Sequence, residues 1–354
     1  MFLGVCIASY SEVYSTFALA ANNIPSRASI VTGASGYIGR EVVHCLLTDS
    51  SSSGEHDIIC LVRPSRVEDE QKYWGGVSDS IRVMPYDMTD GGATIKDALE
   101  TAYQSGDDDD DSSSNTCVYH VASNFGPTDD HAQTAKDNVK GTEDLVNTVA
   151  KFKNCRLVLT SSMAAVRGTG QDPKNGSFYT YEDWNTLSKL GENWGSSYQW
   201  SKAESERRAW ELAKEKGIPM TSLCPSFVFG PPSDGMMSGS YSITLVGQWA
   251  RGESPVQSRL CVDIRDIAKA HVAAGTNPIA IGQRYIVSKE ERVPSKEMAD
   301  ALMRMCKETG LGNADKITFD AEFSGGAIPI GQQEVEAVQR LEELGVILRT
   351  VDET

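Results

Sequence analysis

The chain has 354 residues, 40% of them apolar, enough for one large α/β domain or such a domain with a smaller one attached. Its formal charge is −16, and so acidic a balance argues against nucleic acid or anionic membrane as partners. After the first segment no uncharged apolar run reaches the roughly 18 residues of a membrane span, and the eight cysteines form no Cys-x-x-Cys pair, so reduced thiols are expected and a metal site is not.

Residues 1–26 carry one acid, Glu12, and the first base is Arg27. They read as an extension, 1–27, with a cleaved targeting peptide as the alternative; lacking the basic start of a secretory signal, the chain is expected in the cytoplasm. A β-branched strand at 28–33 then leads into a helix over 37–48, with Val42, Val43, Leu46 and Leu47 on one face. Strands are expected at Ile58–Val62 and Ile81–Tyr86, the latter ending at Asp87, and a helix at 92–104. The stretch Ser105–Asn115, with its run Asp107–Asp111, is too charged to pack and reads as a solvated loop without metal.

The alternation continues with a strand at Thr116–Ala122, a helix at 137–152 and a strand at Arg156–Ser161. A long helix over 199–216 stops at Gly217, and Thr221–Phe229 is a further buried strand. Repeated βαβ units predict a doubly wound parallel sheet of Rossmann type. Beyond Pro225 the rhythm breaks into Gly-, Pro- and Ser-rich loops, then a helix at 295–309 with Ser295 as N-cap and Gly310 as C-cap. We expect residues 28–230 to bind a dinucleotide, with 262–290 returning to that domain. Residues 231–261 and 291–354 would form a smaller, irregular substrate-binding region.

Three groups of residues carry chemistry. In Gly33-Ala-Ser-Gly36-Tyr-Ile-Gly39 the glycines permit a tight turn directly after the first strand, and the helix that follows presents free N–H groups to a diphosphate. At the end of the second strand, Arg63 stands where an NAD site would place an acid; a guanidinium there can pair with a 2′-phosphate, which favours NADP. Asp87 can accept from an adenine amino group or cap the next helix. Tyr198 and Lys202, four apart on a helix, share one face, and a nearby ammonium lowers the pKa of a phenol. Ser162, at a strand end, can orient a carbonyl.

These stretches resemble the extended short-chain dehydrogenase/reductase family, and within it the dihydroflavonol 4-reductases and the yeast methylglyoxal (ketone) reductases. The resemblance rests on Thr-Gly-Ala-Ser-Gly-Tyr-Ile-Gly (32–39), Val-Arg (62–63), Tyr-Asp-Met (86–88) and His-Val-Ala-Ser (120–123). It continues through Asn-Val-Lys-Gly-Thr (138–142), Leu-Thr-Ser-Ser (159–162), Tyr-x-x-x-Lys (198–202), Pro-Ser-Phe-Val-Phe-Gly-Pro (225–231) and 262–271. It implies Ser162, Tyr198 and Lys202 as catalytic residues, with Tyr198 as proton donor and Lys202 also on the nicotinamide ribose. It implies a cofactor site of Gly33, Ser35, Gly36, Tyr37, Ile38 and Gly39 for the diphosphate, and Arg63 for the 2′-phosphate. Asp87 and Met88 would flank the adenine; Val121, Ala122 and Ser123 would line the diphosphate and ribose; Pro225 and Val228 would sit by the carboxamide.

Two departures argue against the substrates of the dihydroflavonol and cinnamoyl-CoA reductases. Five residues after Ser162 the dihydroflavonol reductases have asparagine and this chain has Arg167. At the active tyrosine the cinnamoyl-CoA reductases have Asn-Trp-Tyr-Cys-Tyr, and this chain has Gly-Ser-Ser-Tyr-Gln-Trp. Arg167 either turns inward to select an anionic or strongly hydrogen-bonding substrate, or turns outward to a surface acid. The expected activity is NADPH-dependent reduction of a small ketone or aldehyde by a monomer or homodimer. Alternatives are an NAD(P)-dependent epimerase, a 3β-hydroxysteroid-type dehydrogenase, or a non-catalytic dinucleotide sensor. Arg63 argues against the NAD branch and the intact Tyr/Lys pair against the sensor.

Overall fold

A computed structural model describes residues 28–48, 57–104, 115–126, 128–233, 240–321 and 328–354. The N-terminal extension and the Asp107–Asp111 run lie outside the described residues.

Nine strands follow in chain order among these residues: β1 (Ala28–Thr32), β2 (Asp57–Val62), β3 (Ile81–Pro85), β4 (Thr116–His120), β5 (Cys155–Thr160), β6 (Met220–Pro225), β7 (Phe227–Phe229), β8 (Cys261–Asp263) and β9 (Arg284–Val287). Seven of them make one sheet in the order β3-β2-β1-β4-β5-β6-β9, and every pairing is parallel. Helices cover both faces, so the central strands are apolar without alternation. Val31, Cys60, Tyr119 and Val158 pack on one side, Ile30, Ile59, Val118 and Leu157 on the other. Strand order reverses between β1 and β4, and ligands of such sheets settle at the carboxyl ends on either side of that point.

The departures from expectation are local. The helix expected over 137–152 is His131–Val149, because Asp130 caps it by accepting from Gln133 N–H at 2.9 Å. The helix expected from 199 begins at Trp194, capped by Asn193, so Tyr198 lies in its second turn; Gly217 ends it at φ 68°. The expected strand 221–229 is split. Pro225 closes β6, Phe227 N–H turns to Leu260 O at 3.1 Å, and β7 pairs with β8 in a separate small sheet. Ser295 does not cap its helix, since Pro294 holds that position and the Ser295 hydroxyl donates to Asp320 O at 2.6 Å; Gly310 is the C-cap at φ 71°, as expected.

A third apolar cluster, with Trp249, Val256, Cys261, Met298 and Ile317, gathers residues of 240–320 apart from the two cores on the large sheet.

Candidate active site

The glycine turn owes its shape to close backbone approach. Gly33 has φ +69°, and a Cβ there would lie 3.0 Å from Ala122 Cα. A Cβ on Gly39 would sit 2.2 Å from Gly33 O, so only glycine lets the first helix (Tyr37–Thr48) start so close to β1. Gly36 N–H donates to Gly33 O at 2.9 Å, and Arg40 N–H is the first to close on Gly36 O. The amides of Tyr37 and Ile38 therefore precede the helical ladder and stand available at its positive end. Ser35 is half-buried beside them, while the Tyr37 ring is buried and its hydroxyl donates to Gly230 O at 2.7 Å. That bond ties the turn to the segment after β7. The cradle fits a dinucleotide diphosphate.

Thr32 was not singled out by the sequence, yet it sets the neighbouring loop. Its hydroxyl oxygen accepts from Val121 N–H at 3.1 Å and from Ala122 N–H at 3.0 Å, and its proton goes to His120 Nδ1 at 2.9 Å. Burial, with Lys202 nearby, pulls the imidazole down to about 3, so it stays the neutral acceptor that this pattern requires. Val121, Ala122 and Ser123 thus leave β4 along the rim of the turn.

Arg63 is exposed at the end of β2, before the single turn Pro64–Arg66. Asp87 is exposed and caps no helix: its carboxylate accepts from the N–H and hydroxyl of Thr89 at 2.8 and 2.7 Å, which hold it below the usual range. Asp90 instead caps the helix Ala93–Gln104, accepting from Gly92, Ala93 and Thr94. Met88 packs its backbone on Gly141, and Asn124 Nδ2 approaches its sulfur at 3.2 Å.

Ser162, Tyr198 and Lys202 meet at the carboxyl end of β5. Ser162 caps the one-turn helix Met163–Val166, accepting from Ala164 N–H at 3.1 Å. Burial pushes the Tyr198 phenol up to about 12, with a hydrogen bond to Ser162 working against it. The sequence led us to expect a lowered phenol; desolvation outweighs that effect here. Lys202 donates to Thr160 O at 3.2 Å, and burial brings its ammonium down to about 8 against the opposing fields of Cys224 and Glu206. Pro225 pairs with Val287 at the end of β6, and Val228 is buried in β7.

Glu206, one turn beyond Lys202, is the residue that sequence reasoning missed. Its wholly buried carboxylate accepts from Ser161 at 2.7 Å, Ser222 at 2.6 Å, and Arg284 at 2.8 and 3.0 Å. One carboxylate thus joins the Tyr198 helix to β5, β6 and β9. A small cavity is lined by Ser123, Asn138, Leu159, Ser161, Lys202 and Glu206. Tyr-x-x-x-Lys-x-x-x-Glu spacing was the available signal, but an acid at that step is ordinary on an exposed helix.

Arg167 takes neither route foreseen for it. It pairs with Glu334 at 3.2 Å, an acid only 1% exposed rather than a surface partner, and lies over the Tyr179 ring at 5.8 Å. Around Tyr198 the cleft wall is aromatic: Phe125 stands 4.5 Å from its ring and Trp194 6.4 Å, with Tyr241 5.4 Å from Phe125. Trp194 is pinned by donation to Gly126 O at 2.7 Å.

Among the described residues no helix is long and apolar enough to cross a membrane. The NAD dependent epimerase/dehydratase family matches residues 29–288. Cinnamoyl-CoA reductase 1 of Arabidopsis thaliana is 34% identical over 181 residues, 49% of this chain and 50% of the relative. A putative uncharacterised oxidoreductase of Schizosaccharomyces pombe is 30% identical over 73% of this chain and 77% of its own length. The yeast methylglyoxal/isovaleraldehyde reductase Gre2, solved with NADPH, superposes with TM-score 0.75 at 23% identity, covering 92% of this chain and 95% of that one. The chain belongs to the NAD dependent epimerase/dehydratase family and is an extended short-chain dehydrogenase/reductase, an oxidoreductase on the Rossmann plan.

Proposed function

We propose that the protein is an NADPH-dependent reductase of a ketone or aldehyde carbonyl on a small molecule, with Tyr198 as proton donor. The observation that carries this reading is the meeting of Ser162, Tyr198 and Lys202 at the carboxyl end of β5, on the same sheet two strands from β1 and its glycine turn. The cofactor is NADP(H), in keeping with the NADPH bound to the yeast reductase and with Arg63 exposed where a 2′-phosphate would lie. Bound NADPH supplies the hydride.

The turn Gly33–Gly39, with Ser35 and the amides of Tyr37 and Ile38, holds the diphosphate. Arg63 clamps the 2′-phosphate, Asp87 and Met88 flank the adenine, and Val121, Ala122 and Ser123 line the diphosphate and ribose. Pro225 and Val228 border the carboxamide, and Lys202 holds the ribose. Residues 28–230 with 262–290 bind the nucleotide; 231–261 and 291–354 face the substrate.

Ser162 donates to the substrate oxygen and fixes its direction. The Tyr198 hydroxyl then passes its proton to that oxygen as negative charge develops, and the Lys202 ammonium lowers the cost of the phenolate left behind. Tyr198→Phe tests the reading, because it removes only the transferable proton. Turnover should fall by about 10²-fold or more with NADPH affinity retained; a variant keeping over roughly a tenth of the rate overturns it.

A further inference from the structure

Lys202 is held at a strand end. The β4–β5 pairing stops at His120 opposite Leu159, and Thr160 stands one residue beyond that last pair. Ser161 N–H turns to Leu223 O of β6 at 2.7 Å, so the carbonyl of Thr160 points the other way, toward the chain leaving β4. Ala122 N–H, which would continue the ladder there, donates to the Thr32 hydroxyl oxygen at 3.0 Å instead. A carbonyl left without its rung needs another donor, and the Lys202 ammonium supplies it at 3.2 Å.

The Thr160 side chain is fixed from the opposite layer. Its hydroxyl lies 2.7 Å from His271 Nε2, and His271 Nδ1 lies 2.7 Å from Ile267 O. A carbonyl only accepts, so Nδ1 carries the ring proton and Nε2 accepts from the Thr160 hydroxyl. The ring is wholly buried on the helix Ile264–Thr276, and burial pulls it down to about 4, so at neutral pH the acceptor stays unprotonated. A β-branched residue whose hydroxyl is bonded in this way keeps one χ1.

The ammonium needs such an anchor because it has somewhere else to go. Lysine carries its charge on a long flexible stem, and the cavity it lines also exposes Glu206. Glu206 and Tyr198 face it from its own helix, Cys224 from β6 and His120 from β4. The Glu206 oxygens are already taken by Ser161, Ser222 and Arg284, so that acid attracts Lys202 by its field and offers no directed bond. We infer that Thr160 and His271 are a positioning pair for Lys202: the imidazole fixes Thr160, and the Thr160 carbonyl keeps the ammonium at the end of β5, where Ser162 and Tyr198 act. The inference rests on the reductase reading and adds two residues to its machinery.

The test compares Thr160→Val, which removes the hydroxyl and keeps the shape, with Thr160→Ser, which retains it. His271→Leu removes the acceptor, and His271→Gln puts an amide oxygen within reach of its place. Each variant is assayed with NADPH and methylglyoxal, 3-methylbutanal or benzaldehyde across pH 6 to 10. An ammonium that loses a hydrogen-bond acceptor is easier to deprotonate. The alkaline limb of kcat should therefore move down by about one pH unit in Thr160→Val and His271→Leu. Thr160→Ser and His271→Gln should hold the limb near its wild-type place. A merely structural role lowers the melting temperature and scales kcat without moving the limb. A limb unmoved in Thr160→Val, or moved equally in Thr160→Ser, overturns the pair, whether or not His271→Leu folds. If none of the three aldehydes is reduced, the reductase reading fails by itself. The pair is then judged by nitrogen NMR titration of protein labelled at lysine Nζ, with Lys202→Met giving the assignment. A Lys202 midpoint about one unit lower in Thr160→Val supports it, and equal midpoints overturn it.

Discussion

Two buried carboxylates, Glu206 and Glu334, each hold arginine, and they differ in how fully the arginine donors around them are matched. Glu206 faces one guanidinium, Arg284, and its other lone pairs are taken by Ser161 and Ser222. The remaining Arg284 donors reach Tyr181 O and Asp183 O at 2.8 and 2.6 Å, and the guanidinium lies 4.0 Å over Trp184. Donors and acceptors match, which is the condition under which a buried ion pair is tolerated. Around Glu334 the same chemistry is left in cationic surplus, with a guanidinium nitrogen of Arg167 unpartnered. A closed network holds strands and helix in register.

The sharpest way to break this contrast is to neutralise each acid. Glu206→Gln leaves Arg284 buried without its counter-charge and should cost about 3–5 kcal/mol, read as a lowered denaturant midpoint, together with a loss of kcat as Ser161 and the Tyr198 helix slacken. Glu334→Gln should also lower stability, but by less, because Arg167 is 19% exposed and Arg292 keeps its bond to Ser258 O. Equal losses in the two variants would erase the distinction.

Arg63 is a surface counterpart of the surplus arginines. Arg63→Ala should raise KM for NADPH by the equivalent of about 1.5–3 kcal/mol, the worth of a charge-assisted bond, and barely move KM for NADH. Equal changes for both cofactors would reduce Arg63 to shaping the strand end.

Lys202 sharpens the Glu206 side. Its ammonium, brought down to about 8, loses its proton well below an ordinary lysine, so reduction should decline as pH rises through about 8. The stability sign is opposite. The folded pKa is below the unfolded one, so the unfolded chain binds more protons between about 8 and the ordinary lysine value, and this residue's contribution to stability rises with pH there. Lys202→Met should remove both slopes, checked by pH-rate profiles and by denaturation at pH 7 and 9.5. The smallest expected effect is at Asn193, which caps the Tyr198 helix by accepting from Ser196 N–H at 2.9 Å. Asn193→Ala should cost about 1 kcal/mol in thermal unfolding.

Much of the nucleotide half was legible in advance. The β1 turn, the apolar parallel strands and the Gly217 stop depend on neighbours in the chain, and local residue types encode them directly. Helix starts at His131 and Trp194 were placed too late because their first turns are polar, and only the Asp130 and Asn193 caps mark them. The helices Val67–Gly75, Tyr241–Arg251 and Ile264–Thr276 went unassigned.

By itself, then, the sequence determined where a backbone must turn tightly, which strands are buried on both faces, and that a phenol and an ammonium share a helical face. Steric limits on φ and the 3.6-residue period act over a few residues and are written in order along the chain. Tertiary structure alone decided that Glu206 meets Arg284, that Thr32 meets His120, and that Arg167 meets Glu334 instead of surface or cleft. Those partners lie 78, 88 and 167 positions apart. Buried polar groups must find mates wherever the packed sheet and helices bring them, and no local pattern records which mate that is.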